Sequence, residues 1–188
     1  MTDTISTVQI PGYVSGTWDI DPVHTDVSFT VRHMMVSKVR GHFERVEGTV
    51  TTGADPLQSG VEVSVELGSI NTSNADRDNH IRSDDFFGVE RYPTMTYRST
   101  GVRADGDGFV VDGDLTLHGV TRPVSLELEV NGFGPDPFGG TRAGFSAKGE
   151  ISRKDFDISF DAPMEGGGVV VGDKVQLAIE AELVLRKD

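Results

Sequence analysis

The sequence predicts an all-β protein, an antiparallel sheet of about eight or nine strands long enough to close on itself. Three observations carry that prediction. Apolar residues recur at every second position in segment after segment, which is the period of a half-buried strand. The intervening positions are polar, giving each strand one wet face. Antiparallel sheets show that pattern, whereas parallel strands covered on both faces read as continuous apolar runs. Finally, the separators are rich in Gly, Asp and Pro, as hairpin connections require.

In chain order, strands are expected near 17–21, 26–33 and 43–52. In the second, Phe29, Val31 and His33 alternate with Thr30 and Arg32. Val61, Val63, Val65 and Leu67 then alternate with Glu62, Ser64 and Glu66. A strand near 94–102 precedes the set Phe109, Val111, Leu115 and Leu117, and the next carries Val124, Leu126, Leu128 and Val130. One more lies near 142–151, and Val175, Leu177, Ile179, Ala181, Leu183 and Leu185 make the last. The stretches "ADGDG" at 104–108, "HGVTRP" at 118–123, "GFGPDPFGG" at 132–140 and "EGGGVVVGDK" at 165–174 read as turns or hairpin loops. Closing such a sheet into a barrel removes its exposed edges.

Two segments depart from alternation. After His33 it stops, and Met35, Val39 and Phe43 recur every fourth residue with Gly41 nearby, which predicts a short helical insertion over 34–40. The second is "SNADRDNHIRSDDFF" at 73–87, where Ser73 or Asn74 can cap a helix leading to Ile81, Phe86 and Phe87. Each insertion can act as a lid on an apolar cavity or as a plug in a packed barrel end.

The 188 residues are 36% hydrophobic, enough for one large domain with its own core and without a membrane-spanning run. Thirty acidic against seventeen basic residues give a net charge of −13, which opposes nucleic acid and anionic lipid surfaces at long range, leaving room only for a local basic patch. The absence of cysteine excludes disulfides, thiol catalysis and thiolate metal sites. The start, MTDTISTVQIPG, has neither a basic beginning nor the apolar run of a secretory signal, so residues 1–13 read as a polar extension and the cytoplasm is the expected location.

Sites with chemistry are scarce. His24, His33, His42, His80 and His118 are scattered, with no HxH, HxxxH or HExxH spacing, so no metal is expected. "NADRDNHIRSDD" at 74–85 has oxygens in places that resemble a calcium loop, but Asn79 stands where the sharp turn needs glycine and Asp85 where glutamate closes the site. Arg77, His80 and Arg82 can meet an anionic head group or pair with Asp76, Asp78 or Asp84. "GFSAKG" at 144–149 misses the GxSxG nucleophile turn, having Lys148 in place of glycine on a strand. No phosphate-binding GxxxxGK[ST] occurs, and no carboxylate pair is marked out for acid–base work. What remains is the apolar interior, which in an eight-stranded barrel is filled by its own side chains or holds one ligand. Unbranched Met34, Met35 and Met95 suit either an adaptable wall or an irregular core.

Four stretches, "TWDIDPVHTDVSFTVRHMMVSKVRGHFERVEGTV" at 17–50, "SINTSNADRDNHIRSDDFFGVERYPTMTYRST" at 69–100, "GDLTLHGVTRPVSLELEV" at 113–130 and "AGFSAKGEISRKDFDI" at 143–158, together resemble the YceI-like family of polyisoprenoid-binding barrel proteins. The resemblance covers about residues 14–186. It implies an extended lipocalin-like antiparallel barrel of about eight strands, with a hydrophobic pore that takes the tail of a polyprenyl quinone or polyprenyl phosphate for storage or transport. No catalysis and no cofactor are implied, and a homodimer is expected. Carried onto this chain, it makes Phe29, Val31, Met35, Val39, Phe43, Phe86, Phe87, Met95 and Tyr97 the expected pore lining, with His33 and His80 as polar contacts.

Overall fold

A computed structural model describes residues 8–162 and 170–187. Its strands, in chain order, are β1 (Gly16–Ile20), β2 (Asp26–His33), β3 (Ser37–Phe43), β4 (Val46–Thr52), β5 (Gly60–Glu66), β6 (Ile70–Asn71), β7 (Thr94–Asp105), β8 (Gly108–Leu117), β9 (Val120–Pro135), β10 (Thr141–Ser152) and β11 (Val171–Leu185). The α-helix among the described residues is α1, Ala75–Arg82.

Among the described residues every strand pair is antiparallel, and the order β1-β4-β5-β7-β8-β9-β10-β11 is closed by pairing of β1 with β11. Eight strands therefore form the ring, while β2, β3 and β6 continue it from the other part of β11. The geometry follows from strand length. β11 has 15 residues, too many for one short neighbour, so its end at Leu183–Leu185 pairs with β1 and its stretch Val175–Glu180 with β2. Residues 21–25 interrupt the chain between β1 and β2, and residues 44–45 between β3 and β4. Eight positions around the barrel thus account for the eleven strands, and the predicted antiparallel barrel is the observed fold.

The helical insertion predicted over 34–40 is corrected. Met34 to Val36 form a hairpin turn, and β3 begins at Ser37 and pairs with β2 in the register His33↔Ser37, Val31↔Val39, Phe29↔Gly41. A spacing of four is twice the strand period, so Val39 and Phe43 recur on one face of a strand as they would on a helix. Other turns are tighter than expected: β9 begins at Val120 and runs to Pro135, absorbing much of both predicted flanking loops. Within 165–174, residues 165–169 lie outside the described residues, and Val171 already belongs to β11.

The second helical segment is present. Asn74 caps α1, its Oδ1 accepting from the Arg77 amide at 2.9 Å, and buried Asp78 accepts from the Thr72 amide and hydroxyl at 2.9 and 2.5 Å. The helix is thereby tied down at the barrel end, where Phe86 and Phe87 join Phe43, Leu67, Ile70, Leu117, Phe156 and Ile158 in the larger apolar cluster. A smaller cluster at the opposite end is built on fully buried Trp18 with Ala143, Leu183, Phe133 and Phe145. Trp18 Nε1 donates to Thr52 Oγ1 at 2.9 Å, so its polar atom is satisfied where no water reaches.

Candidate functional site

Between these two clusters the barrel is not filled. Its cavity has a volume of about 230 Å³. The wall is assembled in rows by strand register, because residues paired across neighbouring strands point to the same side. One row runs Phe109, Leu128, Ala147, Ile179, Val27, and another Val130, Phe145, Ala181. Val50 and Val61 pair on the facing wall, followed by Val63, Tyr97 and Leu115. Valine is the commonest residue on this wall, joined by Ala147 and Ala181, and these short side chains stop before they meet across the barrel. That is the local cause of the void.

Among the described residues, no Asp, Glu, Lys, Arg or His lines the cavity. The hydroxyls on its wall are engaged with the barrel itself. Tyr97 Oη donates to the Val124 carbonyl at 2.8 Å, Ser99 Oγ accepts from the Val61 amide at 2.8 Å, and Thr25 Oγ1 accepts from the Glu182 amide at 3.2 Å. Burial, reinforced by Asp112 and Asp114, pushes the Tyr97 phenol up to about 12, so it stays neutral over the physiological range. A wall of carbon with its few polar atoms already paired can hold an apolar guest.

One end of the cavity is crossed by the segment preceding β1. Ile10 and Tyr13 face the cavity, Tyr13 Oη donates to the Gly53 carbonyl at 2.6 Å, and the Tyr13 ring meets Phe133 edge-on at 5.3 Å. Part of the polar extension over residues 1–13 thus contributes to the wall.

Of the lining expected from the sequence, Met95 and Tyr97 face the cavity. Phe43 and Phe86 are buried in the cluster beneath it, with Phe29 and Phe87 packed against them; Phe29 to Phe43 and Phe43 to Phe87 are 5.7 and 6.1 Å between ring centres. The segment 74–87 contributes as a plug at that end. Val31, His33 and Val39 sit half-buried on the β2–β3 hairpin, and Met35 is half exposed at its tip. His80 lies outside, bonded to Asp85 at 2.8 Å and edge-on to Phe86 and Phe160. Arg77 and Arg82 spend their guanidinium groups on backbone carbonyls of Thr72, Gly68 and Ile70. Ala147, Ala181, Val61 and Val111 also face the cavity, beyond the lining that the resemblance implies; Val61, Val111 and Ala181 stand in the alternating sets, and their small size is the signal for open space.

A charged cluster lies on the outer surface, where Asp21, His24 and Glu182 bring potential metal-ligating atoms within 4.8 Å of one another. Arg142 already occupies that position, with Nη1 2.7 Å from Asp21 and 3.1 Å from Glu182, and Nε 3.2 Å from Asp136. Hydrogen bonds from His24 and Arg142 hold Asp21 down at about 2, and Asp21 chiefly raises His24. The group is a closed charge network that fastens the β1–β2 bend to β10 and β11.

The family model for the YceI-like domain matches residues 18–183. Protein YceI of Escherichia coli O157:H7 is 44% identical over 144 residues, 76% of this chain and 75% of that protein. Among solved structures, the YCEI protein of Campylobacter jejuni aligns with a TM-score of 0.70 at 30% identity, covering 89% of this chain and 96% of that one. A polyisoprenoid binding domain from Saccharophagus degradans, implicated in plant cell wall breakdown, aligns with a TM-score of 0.67 at 16% identity over 90% of this chain and 98% of that one.

Proposed function

The chain belongs to the YceI-like family, and from that premise we propose that it binds the tail of an isoprenoid lipid in the barrel cavity, as a carrier or store and without catalysis. The observation that carries this reading is the wall: an interior space bounded by Val, Leu, Ile, Ala and aromatic side chains, with no charged residue among the described ones. The fold shared with a polyisoprenoid binding domain supports it. Met95 and Tyr97 are the tail contacts among the residues expected from the sequence; Val61, Val111, Leu126, Leu128, Ala147 and Ala181 join them.

Size sets the guest. An apolar cavity of roughly 150 Å³ accommodates benzene, so about 230 Å³ holds a segment near two isoprene units. Burying some ten carbons yields roughly 8 kcal/mol gross at ~0.8 kcal/mol per carbon, before ordering and association costs are subtracted. Longer tails must widen the cavity or leave carbons outside. Cytoplasmic location and a homodimer belong to the same proposal, and cell fractionation and sedimentation equilibrium measure them.

Mass spectrometry of protein purified without detergent, first native and then solvent-extracted, tests the reading. One polyprenyl species per chain is the expected result. If no lipid is found even after incubation with prenyl quinones and prenyl phosphates, the barrel is a scaffold and the reading fails. Turnover of such a lipid would overturn the non-catalytic part.

A further inference from the structure

The β2–β3 hairpin differs from the rest of the molecule in charge, conformation and exposure. Residues 27–43 contain Arg32, Lys38 and Arg40, with His33 and His42, and not one acidic residue. Elsewhere in the chain the other 14 basic residues stand against all 30 acidic ones. Among the described residues, none of Arg32, Lys38 and Arg40 forms an ion pair. Register puts the three on one face, Arg32 directly opposite Lys38 and Arg40 opposite Thr30. Like charges facing each other across a strand pair are destabilising.

The hairpin's tip is apolar. Met34, Met35 and Val36 are 42, 50 and 88% exposed, three consecutive members of the five large exposed hydrophobic residues described. The other two, Val23 and Phe138, stand beside Asp21 and Asp136 instead. Met34 and Met35 also hold positive φ, 52° and 61°, the type I′ turn geometry for which Asn-Gly is the preferred sequence. The turn therefore carries two unbranched apolar side chains in a conformation that disfavours them. Protection of a free strand edge accounts for Lys38 and Arg40 on β3, since β6 pairs only with His42 and Phe43. It accounts neither for Arg32 on the inner strand β2 nor for the apolar tip.

We propose that this hairpin docks the protein on an anionic phospholipid bilayer, Met34, Met35 and Val36 entering the interface while Arg32, Lys38 and Arg40 meet lipid phosphates. Apolar insertion combined with attraction to anionic lipid is the physics of a peripheral anchor. With the rest of the chain carrying 14 basic against 30 acidic residues, the charge distribution also favours approach by the hairpin end.

The test is co-sedimentation with phosphatidylcholine vesicles, with and without phosphatidylglycerol, using wild type and two variants. Met34→Asn/Met35→Gly removes the apolar tip while supplying the preferred turn sequence, so the fold is retained; a urea midpoint at or above wild type checks this. The expected result is wild-type binding to anionic vesicles, weakened by salt and reduced about tenfold or more in this variant. Arg32→Gln/Lys38→Gln/Arg40→Gln is expected to lose the preference for anionic over neutral vesicles. Wild type that binds neither vesicle, or a folded tip variant that binds as well as wild type, overturns the proposal. So does a tip variant that abolishes self-association in a wild type without vesicle affinity, since the tip is then a contact between copies of this chain. The readout requires no cargo, so it fails or succeeds separately from the lipid-tail reading.

Discussion

Tyr97 rests on Gly113: a Cβ added at Gly113 would lie 2.5 Å from Tyr97 Cζ and 2.6 Å from Tyr97 Oη. The bare glycine lets a phenol from β7 cross β8 and reach the Val124 carbonyl on β9. Three strands are thereby tied together from inside the barrel. The same Cβ would stand 2.7 Å from the Arg98 carbonyl, an atom of the backbone that cannot swing aside.

Gly113→Ala is therefore expected to destabilise the fold by about 1–3 kcal/mol through overpacking. Tyr97→Phe keeps the ring and loses the hydrogen bond, at about 1 kcal/mol. Urea denaturation measures both. A neutral Gly113→Ala would show that the ring is not confined there.

Filling the cavity separates binding from folding. Ala147 lies between Leu128 and Ile179 in an inward row, so Ala147→Leu adds carbon to open space. Stability is expected to hold within about 1 kcal/mol or to rise, since the added carbons gain burial without displacing a packed neighbour. Co-purified lipid is expected to fall severalfold, read by native mass spectrometry beside a melting curve. Unchanged lipid content in a folded variant would place the guest elsewhere.

The strands were legible because alternation is local: one residue in, one out, needs no knowledge of the neighbour. The cavity was not, because a void is made by what several strands fail to supply at one level. Ala147 and Ala181 are ordinary strand residues until register sets them near Phe109 and Phe145. Aromatic residues attracted attention as lining, yet Phe29, Phe43, Phe86 and Phe87 are large enough to meet one another, and they pack the barrel end. Met34 and Met35 form a turn where the four-residue spacing suggests a helix. A break in alternation marks a turn as readily as a helix, and only the return of pairing at Ser37 distinguishes them.

The charge network at the β1–β2 bend predicts a pH dependence of stability. Asp21, then Glu182, raise the folded-state value of His24 above its ordinary 6.5. A group raised on folding stabilises fully below its unfolded value and loses that contribution as pH climbs through the folded one. Asp21, held at about 2, stays charged throughout that window. The difference in melting temperature between wild type and His24→Ala is thus expected near pH 5.5, shrinking above pH 6.5 and absent in alkaline buffer. His24 is exposed, so the effect is modest and weakens with salt. A difference that persists unchanged at high pH would assign the histidine a packing role instead.

Access to the cavity is predicted to run past the segment before β1. Tyr13 is held at both ends of its side chain, by the Gly53 carbonyl at its hydroxyl and by Phe133 at its ring, and Ile10 faces the cavity beside it. Neither residue belongs to a strand, so this cover can lift without breaking a strand ladder. Tyr13→Ala removes both contacts and Tyr13→Phe only the hydrogen bond. Exchange of a fluorescent prenyl probe, followed by stopped flow, is expected to accelerate severalfold in Tyr13→Ala and to a smaller extent in Tyr13→Phe. The affinity change is expected to reside mainly in the release rate, because the rest of the wall is untouched. Equal release from all three proteins would move the entrance away from Tyr13, and the β1–β2 bend, where Thr25 faces the cavity beneath the Asp21–His24–Glu182 network, would be the next place to cut.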